Sequence, residues 1–334
     1  MASTPLVFSG IQPSGELHIG NYLGAVKNWV RLQDQHECIF CIVDLHAITQ
    51  AYEPAELAQR THDMAVGLLA AGIDPARSVL FVQSHVVEHT ELSWILTTVS
   101  PLGELERQTQ FKDKSQRQES VLAGLLIYPV LQAADVLLYR AALVPVGEDQ
   151  VQHLELMREI ARRWNHRYGA GFFPEPQPQL TSAKRVLGLD GQAKMSKSLG
   201  NTIGLLESPE AIWEKLRPAA TDPARKTRKD PGNPDICNIF TIHQGFSPPA
   251  VQAEVAQNCR TAAWGCLDCK RVLADHMIAE LTPIRERAAA LQANPGRVRE
   301  LLRQGAERAR AMARATMAEV RRRMGFLDAA GEVD

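Results

Sequence analysis

The stretch GIQPSGELHIGNYLGA, Gly10 to Ala25, decides how the chain is read. Just before it, Leu6, Val7 and Phe8 form an apolar, β-prone run; after Gly-Ile-Gln-Pro-Ser-Gly, a His, a Gly and an Asn stand where a helix should begin. A strand that ends in a glycine-bearing turn and feeds a helix aims the helix's free N–H groups, with their partial positive charge, into a crevice. Such a crevice suits phosphate.

On either side of this turn the first half of the chain alternates. LVFSGI, CIFCIVDLHA and SVLFVQS are short β-rich runs, and the segments between them, NYLGAVKNWVRLQ and PAELAQRTHDMAVGLLAAG, have helical periodicity, the second closing on Gly72 as a C-cap. Such alternation predicts a parallel sheet with helices on both faces, whose ligands bind beyond the C-terminal strand ends. From about Glu104 the pattern turns helical and charged, then apolar through AGLLIYPVLQAADVLLY. LVPVG reads as a further strand, EDQVQHLELMREIARRW as a helix, and the proline-rich FFPEPQPQL as a loop. Beyond DGQAKMSKSLGN nearly everything reads as helix. The expected fold class is α/β, a Rossmann-type parallel-sheet nucleotide-binding domain over residues 1–190, a mobile loop over 191–204, and an all-α domain over 205–334.

At 334 residues with 45% hydrophobic content, the chain can bury one large core and a smaller one. Its net charge of −1 weakens a histone-like reading but not an enzyme reading, and any nucleic-acid contact must come from local patches. The N-terminus lacks a signal-peptide pattern, and no run approaches the ~18 apolar residues of a membrane span. These features set an expectation of a cytoplasmic protein without membrane contact. Of the six cysteines, Cys38 and Cys41 fall in an alternating strand-like run and read as core. Cys237, Cys259, Cys266 and Cys269 follow C-x21-C-x6-C-x2-C in a polar helical region, where four thiolates suit zinc or an iron–sulfur cluster and spacing alone does not choose.

Two elements carry phosphate chemistry. His18 and Asn21, at i and i+3, can donate from one helix face to phosphate oxygens, and Gly20 between them admits the close approach of an adenine ring. Lys194, Met195, Ser196 and Lys197 stand in a glycine-flanked loop whose two lysines can close over a triphosphate and neutralise charge on a leaving pyrophosphate. Alone, the first is compatible with a surface His at a helix start and the second with a solvated basic loop. Their co-occurrence, a whole domain apart, favours a nucleotide enzyme.

HIGN and KMSKS resemble the paired signatures of the class I aminoacyl-tRNA synthetases. GIQPSGELHIGNYLGA, VDLHAIT, LIYPVLQAADVLLY and VPVGEDQVQHLEL together look like the bacterial tryptophanyl branch, over nearly the whole chain. The resemblance implies activation of L-tryptophan with ATP and Mg2+, transfer to the end of tRNA(Trp), an anticodon-binding role for the helical domain, and a homodimer. It implies that His18 and Asn21 hold ATP phosphates, that Lys194 and Lys197 stabilise the departing pyrophosphate, and that Ser196 positions their loop. Gln12 would face the nucleotide, Gly147 would leave room for the ribose, and Asp149 would accept from its hydroxyls. Asp135 would accept the indole N–H, which costs ~1–3 kcal/mol when buried without a partner, while Tyr128 and Gln150 would hold the α-ammonium group. Phe8 and His46 would line the same pocket, as would Gln132, which stands where relatives commonly carry Met.

A subset of these enzymes holds a [4Fe–4S] cluster beside the anticodon-binding surface, which makes that cluster the first expectation for the four late cysteines, with zinc second. Basic runs in RQTQFKDKSQR and in the last helix suit tRNA phosphates or merely solvated faces. A tyrosyl-type enzyme, a non-charging paralogue and a small-molecule nucleotidyltransferase remain alternatives.

Overall fold

A computed structural model describes residues 5–115, 120–147, 150–180, 186–196 and 199–327. Strand β1 (Val7–Ile11) leads into a helical stretch in three pieces, α1 (Ile19–Asn21), a π-helical turn (Tyr22–Val26) and α2 (Lys27–Leu32). β2 (Cys38–Ile42), α3 (Asp44–Ala47), α4 (Pro54–Ala71) and β3 (Ser78–Val82) complete the first alternation. α5 (Glu88–Thr97), α6 (Leu102–Glu106), α7 (Thr109–Ser115) and α8 (Ala123–Leu137) precede β4 (Leu143–Val146), α9 (Val151–Tyr168) and β5 (Gln177–Leu180). The remaining elements are helices: α10 (Pro209–Leu216), α11 (Asn238–Phe246), α12 (Pro249–Arg260), α13 (Cys266–Gln292) and α14 (Pro295–Met324).

Among the described residues one parallel sheet forms, in the order β3-β2-β1-β4-β5. Its faces are separated by strand periodicity. Cys38, Phe40 and Ile42 pack into one core, with α2, α4 and the C-terminal helices, while Ile39 and Cys41 pack into the other, with α5, α8, α9 and α14. The two strand cysteines are thus core residues, as their alternation predicts. α4 ends where expected, on Gly72 at φ +117, a left-handed position that glycine adopts without strain.

The strand order reverses between β1 and β4, and these two strands pair only at Val7 and Leu143. Beyond that pair they part, which opens a crevice at the topological switch point of the sheet.

The proline-rich segment read as a loop is corrected: Gln177, Pro178, Gln179 and Leu180 form β5, in register with β4 from Leu143 to Val146. β5 is an edge strand, where a proline's missing N–H costs no ladder bond. On α14, Arg303, Arg322 and Arg323 pair with glutamates three or four residues away, as the solvated-face reading has it, while other arginines reach across to the sheet domain. Arg308 donates to the carbonyls of Pro75 (2.8 Å) and Ser78 (3.0 Å), Arg310 to that of His85 (2.6 Å), and Arg321 pairs with Glu91. They tie the terminal helix to the sheet domain. At Gly305, α14 passes so close to β3 that a Cβ would lie 1.8 Å from the Leu80 carbonyl oxygen.

Candidate active site

The turn after β1 is built by glycine and by a histidine cap. Gly15 sits at φ +136, and His18 then caps α1: its Nδ1 accepts from the backbone N–H of Gly20 (3.1 Å) and of Asn21 (3.3 Å). Asn21 returns the bond, its Oδ1 accepting from the His18 backbone N–H at 3.3 Å. A ring nitrogen that accepts carries no proton, so the neutral imidazole keeps its proton on Nε2. A Cβ on Gly20 would lie 2.9 Å from His18 Nδ1 and 3.3 Å from Met195 Sδ. The space a side chain would need at Gly20 is filled by the imidazole and by Met195.

The segment just after the second signature is zipped to the first by backbone pairing. His18 and Gly204 form an antiparallel bridge, in which the Ile19 N–H donates to Ile203 O (2.9 Å) and the Leu205 N–H to Leu17 O (2.8 Å). Asn201, 5% exposed, holds the loop from within. Its Oδ1 accepts from the Ser196 N–H (2.8 Å), and its Nδ2 donates to Asp190 Oδ2 (2.8 Å) and to the Lys194 carbonyl (3.2 Å). Between the two signatures lies a cleft of about 520 Å³, bordered by Gln12, His18, Asn21, Met195 and Ser196, with Arg60 of α4, paired to Glu56, in its wall.

A second cavity, of about 290 Å³, opens where β1 and β4 part, and Gln12 borders both spaces. Phe8, His46, Tyr128, Gln132, Asp135 and Gln150 all line it, with Gly147 at its rim. Asp135, 1% exposed on α8, has its Oδ2 2.7 Å from His46 Nε2, and its Oδ1 2.6 Å from Gln83 Nε2 and 2.7 Å from His89 Nδ1. Burial opposes its ionisation, but the His46 charge and the hydrogen bonds from His46 and His89 outweigh it and hold the carboxyl well below the ordinary range. The Tyr128 hydroxyl lies 3.0 Å from Gln110 Oε1 and 3.1 Å from His153 Nε2, and His153 Nδ1 lies 3.1 Å from Gln150 Oε1. Burial pushes the Tyr128 phenol up to about 12, so its proton is in place.

Of the expected residues, Gln12, His18, Asn21, Met195 and Ser196 border the cleft and Phe8, Gln12, His46, Tyr128, Gln132, Asp135, Gly147 and Gln150 the cavity, whereas Gly20 and Lys194 border neither. Asp149 and Lys197 lie outside the described residues. Sequence reasoning missed Arg60, Gln83, His89, Gln110, His153 and Asn201. Asn201 had a local signal, standing next to Gly200 at the loop's end; the others reach the site only through tertiary contact.

The four late cysteines lie at helix ends: Cys237 before α11, Cys259 near the end of α12, Cys266 and Cys269 in the first turn of α13. They feel one another's charge. Burial first, and then the other three thiols, push the Cys269 thiol up to about 12. The donor set suits a thiophilic metal centre, but among the described residues no three His, Cys, Asp or Glu side chains are arranged to hold a metal ion. The expected ligand set is not formed as the side chains stand.

A parallel sheet in this order, with a cleft behind the first strand bordered by His18 and Asn21 and a second cavity at the switch point, is the architecture of the nucleotide-binding enzymes of Rossmann type. The sequence profile of the tRNA synthetases class I (W and Y) matches residues 2–282. A protein named tryptophan–tRNA ligase from Deinococcus radiodurans is 58% identical over 325 residues, covering 96% of this chain and 98% of its own, and its namesake from Thermotoga maritima is 44% identical over 327. The crystal structure of tryptophanyl-tRNA synthetase from Campylobacter jejuni, complexed with ADP and tryptophan, superposes with a TM-score of 0.85 at 37% identity, covering 96% of this chain and all of that one. The chain belongs to the class I tRNA synthetases, in the family shared by the tryptophan and tyrosine enzymes.

Proposed function

We propose that the protein is a tryptophan–tRNA ligase. It joins tryptophan to ATP as tryptophanyl-adenylate with release of pyrophosphate, then passes the aminoacyl group to the 3′-terminal ribose of tRNA(Trp). The observation that carries this reading is Asp135. A carboxylate has about four lone-pair sites; Gln83 and His89 take two on Oδ1 and His46 one on Oδ2. One acceptor site remains on Oδ2, in a cavity whose apolar walls include Phe8 and Val144. A ring N–H fits it, and the relatives named above point the same way.

In the activation step the tryptophan carboxylate attacks the α-phosphorus beside Gln12, the bond to the pyrophosphate oxygen breaks, and the electron pair leaves with pyrophosphate. His18, through Nε2–H, and the Asn21 amide hold phosphate oxygens, while Lys194 and Lys197 neutralise the departing charge. Asp149 and Gly147 receive the ribose, and Tyr128 and Gln150 receive the α-ammonium group. Magnesium accompanies ATP and supplies further charge neutralisation on its phosphates.

Residues 1–190 are read as the catalytic domain, 191–204 as the mobile loop and 205–334 as the anticodon-binding domain. A [4Fe–4S] cluster on Cys237, Cys259, Cys266 and Cys269, with zinc as the alternative, rests on the four-thiol donor set and on its place at the ends of α11, α12 and α13, which pack on one another. No catalytic step passes through it. A homodimer is supported by the apolar side chains of Val87, Trp94 and Leu102, exposed by 68%, 70% and 59% around α5 and α6. A cytoplasmic location fits the proposed activity, and among the described residues no helix is long and apolar enough to cross a membrane.

The test is pyrophosphate exchange with each aromatic amino acid, with charging of tRNA(Trp), on anaerobically purified protein whose iron and sulfide are assayed. Exchange with tryptophan and not tyrosine supports the reading; exchange with tyrosine, or none, overturns it. Stoichiometric iron and sulfide support the cluster, and iron-free protein of full charging activity removes it.

A further inference from the structure

Three buried residues stand behind Asp135 without lining the tryptophan cavity. Gln83 and His89 are 0% exposed, and Tyr139 is 4% exposed. Gln83 sits just past β3. Its Oε1 accepts from the Leu45 backbone N–H at 3.1 Å, which fixes the amide so that Nε2, a donor, faces Asp135 Oδ1. Leu45 precedes His46, so the same bond also steadies α3, the helix that brings His46 to the other carboxylate oxygen.

His89, on α5, bridges Tyr139 and Asp135. Its Nε2 lies 2.8 Å from the Tyr139 hydroxyl and its Nδ1 2.7 Å from Asp135 Oδ1. Burial raises the Tyr139 phenol far above its ordinary range, so the hydroxyl keeps its proton. With Tyr139 donating to Nε2, the ring proton stands on Nδ1, where it donates to Asp135. Every hydrogen bond in the chain then points one way, toward Oδ1. Tyr139 also stacks on the cavity-lining Phe8, with ring centroids 5.7 Å apart at 12°, so its ring is held in register with the pocket wall.

We propose that Gln83 and His89, with Tyr139 behind His89, are positioning residues for amino-acid selection: by filling both lone pairs of Oδ1 they turn the carboxylate so that Oδ2 presents its remaining acceptor to a ring N–H. The proposal rests on the reading of Asp135 as the indole acceptor. An indole offers one donor, in the ring plane and at a fixed place. A carboxylate free to rotate meets that donor only part of the time; a clamped one meets it always. The clamp also makes the site acceptor-only, so a substrate without a donor at that point leaves a buried charge underpaired.

The experiment compares tryptophan with its benzothiophene isostere, in which sulfur replaces the ring N–H, in pyrophosphate exchange. The quantity read is the ratio of kcat/KM between the two substrates. In Gln83→Met and His89→Leu that ratio falls by on the order of tenfold, through the KM for tryptophan and with the KM for ATP unchanged. Tyr139→Phe gives a smaller fall, and His89→Asn, whose side-chain amide replaces the Nδ1–H donor, restores the ratio. A purely structural role lowers both substrates together and leaves the ratio unmoved, which overturns the proposal. Tyr139→Phe and His89→Asn keep the test decisive if the harsher variants do not fold. Asp135→Asn separates the two claims: an intact ratio there sinks the indole-acceptor reading, whereas a collapsed ratio there with an unmoved ratio in the Gln83 and His89 variants sinks only the clamp.

Discussion

Gly20→Ala places one methyl group at the tightest point between the two signatures. The new Cβ would stand 2.9 Å from Nδ1 and 3.0 Å from Cε1 of His18, where ordinary contact begins at 3.4 Å. The ring must retreat by about half an ångström, because a packed interior yields by moving side chains and not by compressing them. Retreat loosens both cap bonds, at a cost of ~1 kcal/mol. Alanine recovers ~1 kcal/mol over glycine in helix propensity, so stability should change little. Activity should not be spared. A 1 Å misplacement of a catalytic group can cost ~100-fold, so half that distance predicts a fall on the order of tenfold in the rate of pyrophosphate exchange. The tryptophan KM should stay constant, since Gly20 does not border the tryptophan cavity. Steady-state exchange with each substrate varied, beside a thermal melt, measures all three quantities. Exchange within about twofold of the parent with an unchanged melt would refute the placement of His18 in phosphate binding; a large drop in melting temperature would show that the cap matters for folding instead.

Asn201→Ala removes the bonds to Ser196, Asp190 and Lys194 and should raise the KM for ATP by roughly tenfold, leaving tryptophan affinity intact; equal losses in both would point to general damage. Gly305→Ala drives a Cβ into the Leu80 carbonyl, a backbone atom that cannot rotate away, so α14 must lift from β3 at a cost of ~1–3 kcal/mol, read as a lower urea midpoint. Burial pushes the Cys38 thiol from 9.0 up to about 11. The unfolded chain therefore releases this proton first, and the stability Cys38 lends is whole below pH 9 and lost as pH rises toward 11. Urea midpoints measured across that window should fall, and less steeply in Cys38→Ala.

Much of the fold was legible because its signals are local. The strand-like alternation around Cys38 and Cys41, the glycine stop at Gly72 and the turn from Gly10 to Gly20 depend on neighbours a few residues away, and each formed as read. β5 was hidden for the opposite reason. Its prolines signal a loop, and only the unpaired edge of β4 makes a strand of Gln177–Leu180. By composition the arginines of α14 suit phosphates or a solvated face, yet Arg308 and Arg310 end on carbonyls more than two hundred residues earlier in the chain.

The site divides in the same way. Residue type and spacing pointed, without coordinates, to phosphate chemistry at His18, Asn21 and Lys194, since short motifs carry their own geometry on a turn and a helix start. What those residues touch was a tertiary decision. The imidazole caps its own helix over Gly20, Asn201 ties down the second loop, and Gln83 and His89 come from separate elements to meet Asp135 on α8. A hydrogen bond is formed within about 3 Å and in one direction, and whether two side chains far apart in sequence reach that distance depends on how β1 and β4 splay and how α5 packs on α8. No local pattern encodes either.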